Sequence, residues 1–305
     1  MRCLRSAIVF GAVACGMAAL VAGQSGPIIS IDDVERFYRV YDAAQGHPTA
    51  DQIQRDYLDR GTEGLHSFAK ARNVTAARIA DAVATQPELY ADANRCLTVL
   101  PRVRTRLQGV LEKLGEVYSE ARFPPVTIVV GRGRPVAIGD PSGGVRIGLE
   151  ALCAADMLHA DPEERFVHVI AHEYAHVQQS GFLNDETRPT VLQTALAEGG
   201  AEFAAELISG EVSNATLLTQ VKGRELEIEA AFVPDMDKTD LAKWFYNHPG
   251  TPQWPPDLGY WVGYRIVKAH YQRASDKRRA LAEIFGITDA RAFLTASGWQ
   301  PGKSR

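Results

Sequence analysis

Two consecutive helical segments in the middle of the chain, each with a start and a stop written into it, limit the fold more than any other stretch. Asp161-Pro162-Glu163-Glu164 is a helix start: an acid at the N-cap, proline at the first helical position, acids in the first turn. The segment then places Phe166, Ile170, Tyr174 and Val177 along one stripe and should stop at Gly181. Thr190 opens the next segment, with Leu192, Leu196, Phe203 and Leu207 on its apolar side and Gly210 as its stop. Such stripes need a partner surface, so both helices belong inside a packed domain.

The polar residues carried by these helices point to metal chemistry. His172 and His176 stand one turn apart, so both imidazoles can reach one zinc ion. Glu173, next to His172, then points toward the remaining coordination position. A carboxylate there can take a proton from a water whose pKa zinc lowers to roughly 7. Glu198 follows His176 after 21 intervening residues, enough for one helix to end and the next to return beside it. As a third ligand it completes a His2Glu set and leaves the fourth position to water. Glu202, one turn beyond, is placed to accept the other ring N–H of a ligand histidine. The two glutamates can also exchange these roles, with Glu198 the preferred ligand. Gly199 and Gly200 cost helix stability, and the gain expected from them is a close approach of the two helices at the metal.

The rest of the chain reads as α+β, mainly helical. Residues 31–122 carry helical spacings, with segments near 50–57, 64–72 and 75–84 and a longer one over 96–121. The period switches at Pro125-Val126-Thr127-Ile128-Val129-Val130, which reads as a strand. Val136-Ala137-Ile138 and Val145-Arg146-Ile147 flank Asp140-Pro141-Ser142-Gly143-Gly144 as a hairpin. Gly131-Arg132-Gly133 is followed by another strand instead of a helix, so it fails as a phosphate loop.

The N-terminus sets the compartment. Arg2 and Arg5 precede the apolar run Ser6 to Ala22, and Val21-Ala22-Gly23 has the small residues a signal peptidase reads. At about 17 residues the run is short for a membrane span, so cleavage is expected over anchoring and no stable membrane insertion should follow. Removing residues 1–23 takes away two arginines and moves the formal charge from −4 to −6. Neither value is the strongly basic footprint that nucleic-acid binding requires. Cys3 and Cys15 leave with the signal; Cys96 and Cys153 then form one disulfide or stay as two buried thiols.

His172-Glu173-Tyr174-Ala175-His176 followed by Glu198-Gly199-Gly200-Ala201 resembles the gluzincins, the metallopeptidase clan in which two histidines and a downstream glutamate hold zinc. More narrowly, the chain resembles an uncharacterised bacterial family of predicted secreted zinc-dependent proteases. That likeness extends to Gly61-Thr62-Glu63-Gly64-Leu65, to Arg146-Ile147-Gly148-Leu149-Glu150, and to the run from Leu258 to Val267. It implies a small antiparallel sheet packed on the active-site helix, zincin-like, with helical N- and C-terminal parts. The expected organisation is a signal peptide over 1–23, a helical region over 24–122 and a catalytic region over 123–305. Within the last lie the sheet at 125–149 and the zinc-binding helices at 162–180 and 190–209. The Gly-x-Met-Glu-Asn motif of the aminopeptidase branch is absent, which puts N-terminal trimming in doubt.

A hydrolytic oxyanion needs a donor beside the metal. Gluzincins use a downstream Tyr or His, which directs attention to Tyr260 and Tyr264 after Pro255-Pro256, and to His248 in its loop. Tyr264 is the selected donor; the bland alternative makes both tyrosines core aromatics. His168, one turn before His172, is expected to be structural. The expectation is an exported, secreted or periplasmic zinc metallopeptidase acting on peptide or protein substrates. Its rivals are a zinc hydrolase of a non-peptide amide or ester, and a non-catalytic binding protein with a vestigial metal site. The hairpin over 136–149 could also offer an edge for an extended peptide.

Overall fold

The structure, a computed structural model, describes residues 28–134, 136–179 and 188–303. The signal-like segment and the expected stop at Gly181 lie outside these residues. None of the described helices is long and apolar enough to cross a membrane.

After a two-residue strand β1 (Ile29–Ser30), helix α1 (Asp32–Ala43) buries Val34, Phe37 and Tyr38. Helix α2 (Ala50–Gln52) starts from a capping box of Thr49 and Gln52 and continues as a π-helical turn over Ile53–Leu58. Helices α3 (Glu63–Arg72) and α4 (Ala76–Thr85) start from Thr62 and Thr75, whose hydroxyls accept from the N–H three residues on. Helix α5 (Pro87–Ala93) passes through a 3-10 turn (Asn94–Val99) into α6 (Leu100–Val117). The expected helix over 96–121 is therefore shorter at both ends.

Strands β2 (Val126–Val129), β3 (Ala137–Asp140) and β4 (Gly144–Gly148) join β1 in one sheet of order β1-β2-β4-β3. β3 and β4 are the expected hairpin, antiparallel, with Ala137 opposite Ile147. β4 then lies parallel to β2, and β2 parallel to β1. The sheet is thus mixed, a correction to the antiparallel expectation. A turn signal reports how chain neighbours pair; the β2–β4 pairing is made between strands that are not neighbours in the chain. All five residues of β4 are buried, because α3 on the N-terminal side of the sequence and the histidine helix both pack on this strand.

The Gly131-Arg132-Gly133 loop follows β2, and its N–H groups are already taken by a carboxyl group. Glu150, fully buried in α7 (Leu149–Cys153), accepts from Gly131 N and from Gly133 N at 3.0 Å each. Burial pushes the Glu150 carboxyl up, and those backbone donors pull it back. Cys96 and Cys153 form a disulfide across 57 residues, which resolves the alternative the sequence left open.

Helix α8 (Pro162–Gln178) starts as expected, with the Asp161 carboxylate accepting from Glu163 N at 2.7 Å. Helix α9 (Val191–Ser209) departs from expectation in being buried nearly all round. Its Ala201, Ala204, Ala205 and Ile208 pack with the N-terminal helices, the sheet and α8. Its Val191, Leu192, Ala195, Leu196 and Phe203 belong to a second cluster. That cluster is built by α10 (Ala215–Val221), α11 (Glu225–Phe232), α12 (Leu258–Arg273), α13 (Lys277–Phe285) and α14 (Ala290–Ser297).

The glycines of α9 explain how one helix serves both clusters. A Cβ on Gly199 would stand 2.1 Å from the Gly263 carbonyl carbon, and one on Gly263 would stand 1.7 Å from the Ala195 oxygen. Backbones of α9 and α12 touch there. The glycine pair was expected to bring the two metal helices together; Gly199 instead admits α12. Gly200 faces the α8 side, where a Cβ would lie 3.3 Å from Gln179 Nε2.

Candidate metal centre

Helix periodicity places His172 and His176 on one face of α8, and α9 returns with Glu198 opposite them. The Nε2 atoms of the two histidines are 3.0 Å apart. Glu198 Oε2 lies 3.4 Å from His172 Nε2 and 3.2 Å from His176 Nε2. Donors held at 2.0–2.1 Å around a tetrahedral zinc ion would stand about 3.3 Å from one another. The three atoms therefore fit a shared cation, and among the described residues they are the group that gathers in this way.

The second nitrogen of each ring is held so that Nε2 faces the cluster. His172 Nδ1 lies 3.2 Å from Glu202 Oε1, and Glu202 also accepts from Ser213 N at 2.7 Å. His176 Nδ1 lies 2.8 Å from Gln179 Oε1, while Gln179 Nε2 donates to the Ala197 carbonyl at 2.7 Å. A carbonyl oxygen can only accept, so the amide turns its nitrogen to Ala197 and its oxygen to His176. A carboxylate on one ring and an amide oxygen on the other make Nδ1 the protonated nitrogen of each, leaving the Nε2 lone pairs for a metal.

Charge in the cluster follows the same geometry. Burial opposes a charged form of each histidine. Glu202 and Glu198 nevertheless raise His172 well above its ordinary value, and Glu198 raises His176. Burial likewise works against Glu198, but His176 and the hydrogen bonds from both rings hold its carboxyl far below the usual range. The carboxylate form of Glu198 is thus favoured, and it favours positive charge beside it.

Glu173 is buried at the floor of the same cleft, and burial pushes its carboxyl up, with both histidines pulling the other way. Strand β3 lies against it so closely that a Cβ on Gly139 would meet the Glu173 carbonyl oxygen at 2.1 Å. β3 is an edge strand of the sheet, and Ala137, Ile138 and Gly139 line the cleft.

The cleft is about 500 Å³ and brings together His172, Glu173, His176, Glu198, Glu202 and Tyr260. Tyr260 lines it, its ring stacked on His172 with centroids 6.2 Å apart. Tyr264 is not brought to this cluster: its hydroxyl donates to Glu206 Oε1 at 2.9 Å and receives from Lys268. One further turn along α12 carries it past the cleft. His248 reaches the cleft rim, where its Nε2 lies 2.6 Å from Asp257 Oδ2. Asp257 also accepts from Tyr246 N at 2.6 Å, and both residues hold left-handed backbone, φ 57° at Tyr246 and 61° at Asp257. That strained loop is pinned beside the site. His168 is structural, as expected, between Glu164 Oε2 at 3.0 Å and Ser209 Oγ at 2.8 Å.

Gln179, Ser213 and Tyr246 escaped the sequence reading. Only Gln179 left a local trace there, three residues beyond His176 where the helix ends.

Residues 143–288 match the model of a family described as predicted Zn-dependent protease (DUF2268). The matched stretch holds β4, α8, α9 and α12, and with them the three donors, Glu173 and Tyr260. No curated protein and no solved structure matches the chain.

Proposed function

We propose that this protein is an exported zinc-dependent peptidase whose metal is held by His172, His176 and Glu198. The observation that carries the reading is the convergence of those three donors with a buried Glu173 and with Tyr260 on one cleft. The similarity of residues 143–288 to predicted Zn-dependent proteases supports it. A structural zinc site would close with a fourth protein ligand, whereas three donors gather here among the described residues.

Zinc bound there would act as a Lewis acid on the substrate carbonyl and lower the pKa of a water to roughly 7. Glu173 takes the proton of the attacking water and later delivers it to the leaving nitrogen. Its raised carboxyl suits both tasks, since a base that binds its proton too weakly cannot carry it across. The hydroxyl of Tyr260, whose ring lines the cleft and stacks on His172, donates to the developing oxyanion; it replaces Tyr264 in this role. Glu202 and Gln179 hold the two rings in the tautomer the metal needs. An extended peptide pairs along the outer edge of β3, which brings its carbonyl over Glu173.

Export rests on the signal-like residues 1–23 and on the disulfide, a bond that persists in oxidising compartments. The test is zinc content together with cleavage of a denatured protein mixture, for the wild type and Glu173→Gln. Zinc in both proteins with cleavage confined to the wild type supports the reading. Equal cleavage by both, or a folded protein without affinity for zinc, refutes it.

A further inference from the structure

Beside the cleft, the end of α4 and the loop after β2 enclose a groove of about 610 Å³ lined by Arg78, Arg132, Arg134, Asp81, Gln86 and Gly133. That volume lies in the range of sites that take a ligand larger than a single ion. Three guanidinium groups share this groove with one carboxylate, and none of the three forms an ion pair among the described residues. Arg78 donates to the Asn73 carbonyl at 2.8 Å and Arg132 to the Arg72 carbonyl at 3.3 Å. The Nε of Arg132 is buried and has no partner among the described residues. Burial, then the like charges of Arg134 and Arg78, hold its guanidinium below the ordinary value.

Several arginines elsewhere in the chain are neutralised within the fold. Arg106, Arg146, Arg165, Arg265 and Arg291 each meet a carboxylate. A net acidic chain that sets three arginines around a single carboxylate has room for negative charge supplied from outside. The groove also adjoins the cleft. Arg132 binds the backbone of Arg72, and Arg72 lines the cleft without an ion-pair partner among the described residues.

We propose that Arg78, Arg132 and Arg134 anchor an acidic segment of the substrate protein, a run of Asp or Glu residues lying outside the cleft and leading into it past Arg72. The inference rests on the peptidase reading and names the substrate class for it. Guanidinium forks match carboxylates bidentately, and the groove offers several forks to a chain that carries several carboxylates.

The test separates anchoring from cutting. A fluorescein-labelled heptaglutamate peptide is titrated into E173Q, and anisotropy is read at low and at high salt. E173Q should bind it, more weakly at high salt, and E173Q/R78E/R134E should bind about tenfold or more weakly. Arg134 is exposed, so E173Q/R134Q, expected to lose affinity about threefold, serves if the charge-reversed protein fails to fold. Equal binding by the parent and both variants overturns the proposal, whatever the protein cleaves. Binding of phosphatidylglycerol vesicles in place of the peptide, lost in the same variants, overturns it as well by assigning the groove to a lipid surface. In the active protein, the ratio of kcat/KM for a substrate with a Glu tract to that for its Gln-tract counterpart should fall to about one in R78E/R134E. Heptaglutamate binding without cleavage of any protein by the wild type sinks the peptidase reading and leaves the acidic-segment site standing.

Discussion

Gln179 presents its Oε1 to His176 Nδ1 at 2.8 Å and spends its Nε2 on the carbonyl of Ala197, the residue before Glu198. One side chain thus ties a histidine on α8 to the backbone of α9 at the third donor. Gln179→Ala should lower zinc affinity by about 10–100-fold with little change in the fold. Competition against a chromogenic chelator measures this. An unchanged affinity would mean that the amide only packs.

Glu198 and Glu202 lie one turn apart yet differ in what they touch. Glu198 faces both Nε2 atoms; Glu202 faces His172 Nδ1 and Ser213. Glu198→Ala should abolish stoichiometric zinc binding, and Glu202→Ala should weaken it by about 10–100-fold. Metal analysis after dialysis ranks them, and the reverse ranking would show that the roles are exchanged.

Tyr260 and Tyr264 give a paired comparison on one helix. Tyr260→Phe should lower kcat by about 10²–10³ with KM little changed, the loss typical of one oxyanion donor. Tyr264→Phe removes a bond to Glu206 and should cost about 1 kcal/mol of stability while leaving kcat intact. Equal kcat values for the two variants would remove Tyr260 from the mechanism.

Gly199→Ala places a Cβ into the Gly263 backbone and should destabilise by about 1–3 kcal/mol or more. Gly200→Ala meets a side-chain amide at 3.3 Å, which can shift, so its cost should be smaller. Urea midpoints for the two proteins check the order.

Asp235 accepts from Lys238, Lys243 and Trp244 Nε1. Burial works against its charge, but those donors hold the carboxyl well below the ordinary range. A depressed carboxyl stabilises the fold above its unfolded pKa of about 3.9, and the contribution fades as pH falls toward the folded value. Asp235→Asn should therefore be clearly less stable than wild type at neutral pH, with the gap closing below about pH 4. A gap that stays constant across that range would assign the loss to packing.

What the sequence made legible was local. The start of α8, the one-turn spacing of His172 and His176, and the return of Glu198 all follow from helix geometry and caps. The β3–β4 hairpin follows from its turn. Long-range relations were hidden. Pairing of β1 with β2 and of β2 with β4 joins residues far apart in the chain. Positions four apart share a helix face only approximately, so the spacing of Tyr260 and Tyr264 could not say which ring meets His172. The glycines of α9 advertised a close approach without naming the helix that makes it, and that helix is α12.

The N-terminal helices are part of the scaffold that carries the cleft. Tyr57 both donates to the Val130 carbonyl at 2.7 Å and accepts from Val130 N at 2.9 Å, while Tyr90 holds Gly131. Val34, Phe37, Leu65 and Phe68 share one buried cluster with the sheet and α8, and Arg72 walls the cleft. Excising these helices would strip the scaffold from under the histidines. Removing residues 32–117 would thus cost the fold its support instead of uncovering a finished cleft.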